Sequence, residues 1–100
     1  MLQAAKVVDK QEAGEILARR IAELRRLRYA ELLQFLDKPQ ATDVVHSSGR
    51  RYQMETEVFW DDRPGENLRI NVAIDDGGWR AFFPLISAFI KSPDDQFVGE

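Results

Sequence analysis

Between residues 51 and 83 apolar and polar positions alternate. Tyr52, Met54, Val58 and Trp60 fall on one side of an extended chain. Leu68, Ile70, Val72 and Ile74 do the same, and so do Trp79, Ala81 and Phe83. A period of two is that of half-buried strands. The segments are separated by Asp61-Asp62-Arg63-Pro64-Gly65-Glu66-Asn67 and by Asp75-Asp76-Gly77-Gly78, both rich in turn formers. The pattern predicts an antiparallel meander with one apolar face. A first strand is expected over residues 41–46, turned by Ser47-Ser48-Gly49-Arg50. Pro84 is expected to close the last strand, so the meander occupies residues 41–84.

The first third reads differently. Residues 1–8 form a tail or lead-in, and Asp9 with Glu12 has the spacing of an N-cap and its capping-box partner. Residues 9–37 are rich in Ala, Leu, Glu and Arg and predict a long helix that Pro39 prevents from continuing. That helix carries two apolar stripes. Ala13, Leu17, Ile21 and Leu24 form one, and Tyr29, Leu32, Leu33 and Leu36 the other, with Arg25, Arg26 and Arg28 at the changeover. At helical spacing the stripes lie roughly 100–120° apart. A straight helix cannot turn both to one sheet, so it either breaks near Arg25–Arg28 or serves two partners.

Length separates these two readings. Residues 10–37 would span about 42 Å as one helix, whereas a strand of that meander spans about 28 Å. The expectation drawn from this overhang is a homodimer. The second stripe would cover the home sheet, while Ala13, Leu17, Ile21 and Leu24 would form an interface with a second copy. A helix hairpin folding back on one monomer is the alternative. Leu85, Ile86, Phe89 and Ile90 have helical spacing and predict a short helix over residues 85–91. Residues 92–100 form a polar tail in which Phe97 and Val98 latch back onto the body. The expected fold is thus a single α+β domain of two layers. In it a long N-terminal helix packs on a three- to four-stranded antiparallel meander, followed by the short C-terminal helix. Its core should hold Leu32, Leu33, Leu36, Met54, Val58, Trp60, Ile70, Val72, Ile74, Ala81 and Phe83.

Composition narrows the function classes. One hundred residues suffice for one domain. The net charge of −3 is uneven: residues 1–36 carry seven basic and five acidic side chains, residues 37–100 seven and twelve. An acidic sheet region opposes nucleic-acid binding, which needs positive charge against phosphate. The absence of cysteine removes disulfides, thiol catalysis and Cys-ligated zinc. No secretory h-region and no apolar run of ~18 residues occur, so the expectation is a cytoplasmic protein with no membrane partner.

Candidate chemistry is sparse. In a meander the Asp61-Asp62 and Asp75-Asp76 turns fall at opposite ends, which removes a two-carboxylate acid–base site built from them. Asp61, Asp62 and Glu66 could ligate a hard cation, but their spacing is not that of an EF-hand, and Asp residues beside Gly or Pro are ordinary turn chemistry. His46, the single histidine, falls at the same end as Asp75 and Asp76, a weak general-base constellation. No phosphate-binding glycine loop and no nucleophile elbow is present. No cofactor is therefore expected, and the chain leans away from catalysis. The arginines of the helix are interleaved with Glu15, Glu23 and Glu31, the pattern of a solvated, salt-bridged face. On the second face of the sheet, Phe59 and Phe82 sit among Glu55, Glu57, Arg69 and Arg80, a composition found at protein interfaces.

The words Phe59-Trp60-Asp61-Asp62-Arg63-Pro64-Gly65, Ile74-Asp75-Asp76-Gly77-Gly78-Trp79-Arg80-Ala81-Phe82-Phe83-Pro84 and Phe97-Val98-Gly99-Glu100 resemble a family of short uncharacterised bacterial α+β proteins. The resemblance covers residues 50–100 only and implies a small bacterial cytoplasmic domain, with no activity and no catalytic residue to carry over. The functional expectation is a small protein–protein interaction module that self-associates through its N-terminal helix. The alternatives are an inhibitor or immunity-type protein whose acidic loops dock on a basic partner, and a regulator that binds a small ligand or metal.

Overall fold

The computed structural model describes residues 10–76 and 84–100. Helix α1 spans Lys10–Arg25 and helix α2 is the single turn Tyr29–Leu32, continued by a 3-10 turn, Leu33–Phe35. Strands β1 (Gln40–Val45), β2 (Arg51–Trp60), β3 (Leu68–Asp75) and β4 (Leu85–Lys91) form one antiparallel sheet in the order β1-β2-β3-β4. Each strand pairs with its sequence neighbour; for β1, β2 and β3 this is what the alternation and the turns predict.

The long helix does not run straight. At the end of α1 the bonds tighten, with the amides of Arg26 and Leu27 reaching the carbonyls of Glu23 and Leu24. Arg28 is extended (φ −80°, ψ 162°) and starts α2, where Glu31 accepts a hydrogen bond from the Arg28 amide at 2.9 Å. The break separates the two stripes and lets both face one sheet. Ala13, Leu17 and Leu24 from α1 and Leu32 from α2 are buried in one cluster with Tyr52, Met54, Val58, Leu68, Ile70, Val72, Ile74 and Phe89. Each large side chain so buried contributes about 1.5–3 kcal/mol.

The overhang from which the dimer expectation was drawn is not found. Sixteen residues of α1 span about 24 Å, and the ten residues of β2 span about 33 Å. Nothing overhangs. Of the residues expected at a dimer interface, Ala13, Leu17 and Leu24 lie in the core of the single chain and Ile21 packs against it. The alternative reading is right in its break near Arg25–Arg28, after which the chain continues as one helical turn and a 3-10 turn rather than as a second long helix.

The short C-terminal helix is also corrected. Residues 85–91 are strand β4, paired with β3 from Leu68↔Lys91 to Ile74↔Leu85. The register turns Leu85, Ser87, Phe89 and Lys91 to the covered face and Ile86, Ala88 and Ile90 to the other. Ser87 and Lys91 interrupt the apolar alternation and leave a run that also fits a helix; a short apolar run is ambiguous in this way. The strand expected over residues 79–83, with its core residues Ala81 and Phe83, lies outside the described residues. Leu33, Leu36 and Trp60, also expected in the core, pack against its margin.

Residues 92–100 close the other end of the helix pair. The amide of Val98 donates to the carbonyl of Ile90, and Phe97 bridges Lys91 and packs edge-on to Phe89 at 5.8 Å between ring centroids. The Arg25 guanidinium lies over Phe97, 3.8 Å from its centroid, and bonds both carboxylate oxygens of Glu100 at 2.7 and 2.6 Å. The hydrogen bonds from Arg25 hold the Glu100 carboxyl below its ordinary range, outweighing desolvation. Asp95 accepts from the Tyr29 amide at 2.6 Å, and the Tyr29 hydroxyl donates to the Glu66 carbonyl at 2.6 Å. Burial, helped by the charge of Glu66, pushes the Tyr29 phenol up.

Two substitutions test this packing. Leu24→Ala should lower the unfolding free energy by about 2–5 kcal/mol in urea titrations. Leu17→Glu should unfold the chain, because it places a carboxylate in the core. Recovery of a folded Leu17→Glu monomer would mean that α1 is not seated as described.

Candidate functional site

Three places carry polar or exposed features that could bear function. The first is a cluster where the start of α1 meets the β1–β2 turn. Residues 46–50 form a tight turn, with the His46 amide bonded to the Arg50 carbonyl and the Gly49 amide to the His46 carbonyl. Gly49 takes a φ of +91° there, a conformation that favours glycine. Glu12 of α1 reaches into this turn. One carboxylate oxygen accepts from the Ser48 hydroxyl and the Tyr52 hydroxyl, each at 2.9 Å, and the other accepts from Arg50 at 3.0 Å. The His46 ring lies between two carboxylates. Its Nε2 is 3.1 Å from Glu15, and its Nδ1 is 3.6 Å from Glu12.

This is the setting of the weak catalytic candidate, and the partners differ from those expected. His46 meets Glu15 and Ser48 rather than Asp75 or Asp76. Its Nδ1 lies 3.1 Å from both the backbone amide and the hydroxyl of Ser48, and its Nε2 3.1 Å from Glu15. The Ser48 hydroxyl lies between Glu12, to which it donates at 2.9 Å, and the His46 Nδ1 at 3.1 Å. It also accepts weakly from the Arg50 amide at 3.4 Å. The arrangement braces α1 against the sheet. Burial pulls the Glu12 carboxyl up, but the hydrogen bonds of Tyr52 and Ser48 and the charges of His46 and Arg50 outweigh it, so the carboxyl lies below its ordinary value. Glu12 escaped the sequence reading because it also fits the capping-box position after Asp9. Its partners lie 36 to 40 residues away.

The second place is the loop between β2 and β3. Asp61 is held by Arg69, whose Nε and terminal nitrogen both lie 2.8 Å from one carboxylate oxygen. The loop closes on itself through the Asp61 amide to the Asn67 carbonyl and through Gly65 at φ +84°. Asp62 is exposed beside Arg63 at 4.0 Å. Asp61, Asp62 and Glu66 therefore do not converge on a cation. Among the described residues no group of three or more acidic or histidine side chains could hold a metal.

The third place is the uncovered face of the sheet. Residues facing away from the helices are Ala41, Asp43 and Val45 of β1, the odd-numbered residues of β2 and β3, and Ile86, Ala88 and Ile90 of β4. Val45 is 58% exposed and Ile86 61%. Phe59 is half-buried opposite Arg69. Phe82, the other aromatic expected here, lies outside the described residues. Asp43, Gln53 and Asp75 form one row across three strands, and Ala41, Glu55 and Ala73 form the next. Ala41 and Ala73 line a trough of about 340 Å³ together with Asp43, Glu55, Asp75 and Pro84. The exposed carboxylates of Asp43 and Glu55 beside this concavity give a site for positive charge.

The brace has a pH signature. Because the folded Glu12 carboxyl is depressed, its stabilisation is fully present above the unfolded value near 4.3 and is lost as pH falls through the folded value. Glu12→Gln should therefore be less stable than the natural chain at pH 7, with the gap closing towards pH 3. Urea midpoints at both pH values measure this, and an unchanged gap would sink the assignment.

No helix among the described residues is long and apolar enough to cross a membrane. Comparison with family models, curated proteins and solved structures gave no match.

Proposed function

We propose that this chain is a protein-interaction module that docks through the uncovered face of its sheet, where the carboxylate-walled trough selects a basic partner. The trough carries the reading. It joins the exposed carboxylates of Asp43 on β1 and Glu55 on β2 beside a concavity large enough for a lysine or arginine side chain. Exposed Val45 and Ile86 supply apolar area on the same face, and mixed apolar and charged surface suits a non-obligate interface.

The reading keeps the interaction class and the basic partner expected from the sequence, and moves the contact from the acidic loops and the helix to the sheet. The burial of Ala13, Leu17 and Leu24 against their own sheet favours the sheet over the helix as the contact. The resemblance of residues 50–100 adds no activity.

Titration of the labelled chain with poly-L-lysine tests the proposal by NMR. The amides of Gln53, Glu55 and Asp75 should shift more than those of residues 61–66, and raising salt from 50 to about 300 mM should remove the effect. The double variant Asp43→Lys, Glu55→Lys should lose it. Equal shifts over all acidic segments would show mere charge attraction and overturn the site.

A further inference from the structure

We propose that the open edge of β1 accepts an extended strand from a protein partner, with a lysine or arginine of that strand beside Asp43 and apolar residues beside Val44; this rests on the interaction reading above. The ladder settles which groups of β1 are available. The His46 amide bonds the Arg50 carbonyl at 2.9 Å, so the hydrogen-bonded pairs between β1 and β2 continue as Val44↔Tyr52, Thr42↔Met54 and Gln40↔Thr56. The N–H and C=O groups of Ala41, Asp43 and Val45 consequently point away from β2, along the free edge. Five of the six β1 residues are exposed.

The other edge is treated differently. On β4 the same alternation turns Ile86, Ala88 and Ile90 outward, and the Ile90 carbonyl already accepts from Val98 at 3.0 Å. Phe97 continues that cover over Lys91. Two outward residues remain on β4, against three on β1 with no such segment among the described residues. A bare edge is a template for strand addition.

The surroundings select the strand. On the uncovered face, the edge is bordered by the acidic trough, with Asp43 at its rim and Gln53 and Asp75 behind. On the helix side, a groove of about 270 Å³ runs between β1 and α1, lined by Ile16, Val44 and Arg19 among others. Side chains of an added strand alternate between these two sides. Its central residue on the trough side meets carboxylates, and its residues on the groove side meet Ile16 and Val44. A second copy is a poorer fit, because a two-fold pair centred on Asp43 sets that carboxylate opposite itself, a repulsive cross-strand pair.

The probe is the end-blocked peptide Val-Lys-Val-Lys-Val-Lys-Val, added to the labelled full chain and followed by NMR shifts and amide exchange. Binding should shift Ala41, Asp43 and Val45 and slow the exchange of their amides, while Thr42 and Val44 are slow from the start. The same peptide with alternate backbone nitrogens methylated should not bind. Asp43→Pro should fold, since the Asp43 N–H serves no ladder bond, and should lose the peptide. Asp43→Lys should weaken it by about fivefold, the scale of one cross-strand charge pair. Shifts confined to Glu55 and Asp75 would overturn strand addition while leaving the acidic-face reading intact. Absence of any peptide effect would overturn it too, and the poly-L-lysine titration would then judge the face separately. Concentration-dependent protection of Ala41, Asp43 and Val45 without peptide would assign the edge to a second copy and overturn the basic partner.

Discussion

The fold depends on a constraint set by helical geometry. Two apolar stripes set about a third of a turn apart cannot share one sheet while the helix is continuous. The chain meets this by giving up helical hydrogen bonds at Arg26–Arg28, after which Leu24 and Leu32 reach the same core. The break exposes backbone groups that must be satisfied. Glu31 takes the Arg28 amide and Asp95 takes the Tyr29 amide. Tyr29 and Arg25 then tie the corner to the β2–β3 loop and to residues 97–100. The features at that end of the molecule follow from the need to hold the corner.

The opposite end is held by polar contacts. Glu12 and Glu15 on successive turns of α1 face the β1–β2 turn and engage His46, Ser48, Arg50 and Tyr52. The helix is thus pinned at its start by charge and hydrogen bonds, along its middle by Ala13 and Leu17, and at its end by stacking on Phe97. With this face committed to structure, the reverse face is where the sheet offers spare surface. Asp43 and Glu55 in its first two strands are exposed, and its aromatic content among the described residues is limited to Phe59 beside Arg69.

Much of this was legible in the chain. The period-two runs gave β2 and β3 with their buried residues, because each has one dry and one wet side. The turn words placed both hairpin loops for the reason that Gly49 and Gly65 show directly: positive φ is cheap only there. Two stripes and three arginines marked the helix break, but pattern alone could not choose between a bend and a partner. Strand β4 was hidden because Lys91 occupies an inward position, its ammonium lying 4.3 Å from the Phe97 centroid. An inward lysine is acceptable only when an aromatic ring from a later segment is present to receive it, and local periodicity carries no such information. The Glu12 cluster was hidden for the same reason: it is an agreement between residues distant in sequence.

The Arg25–Glu100 and Tyr29–Asp95 pairs join positions 75 and 66 residues apart. During synthesis, helix α1 leaves the ribosome long before either partner exists. Its apolar stripe must wait in water, or under a chaperone, until β3 and β4 have been made and the final loop can return to cap the corner. Contacts of such long sequence separation carry a large loop-closure cost and slow folding. The corner that lets one sheet satisfy both stripes therefore cannot close until residues 95–100 have been made.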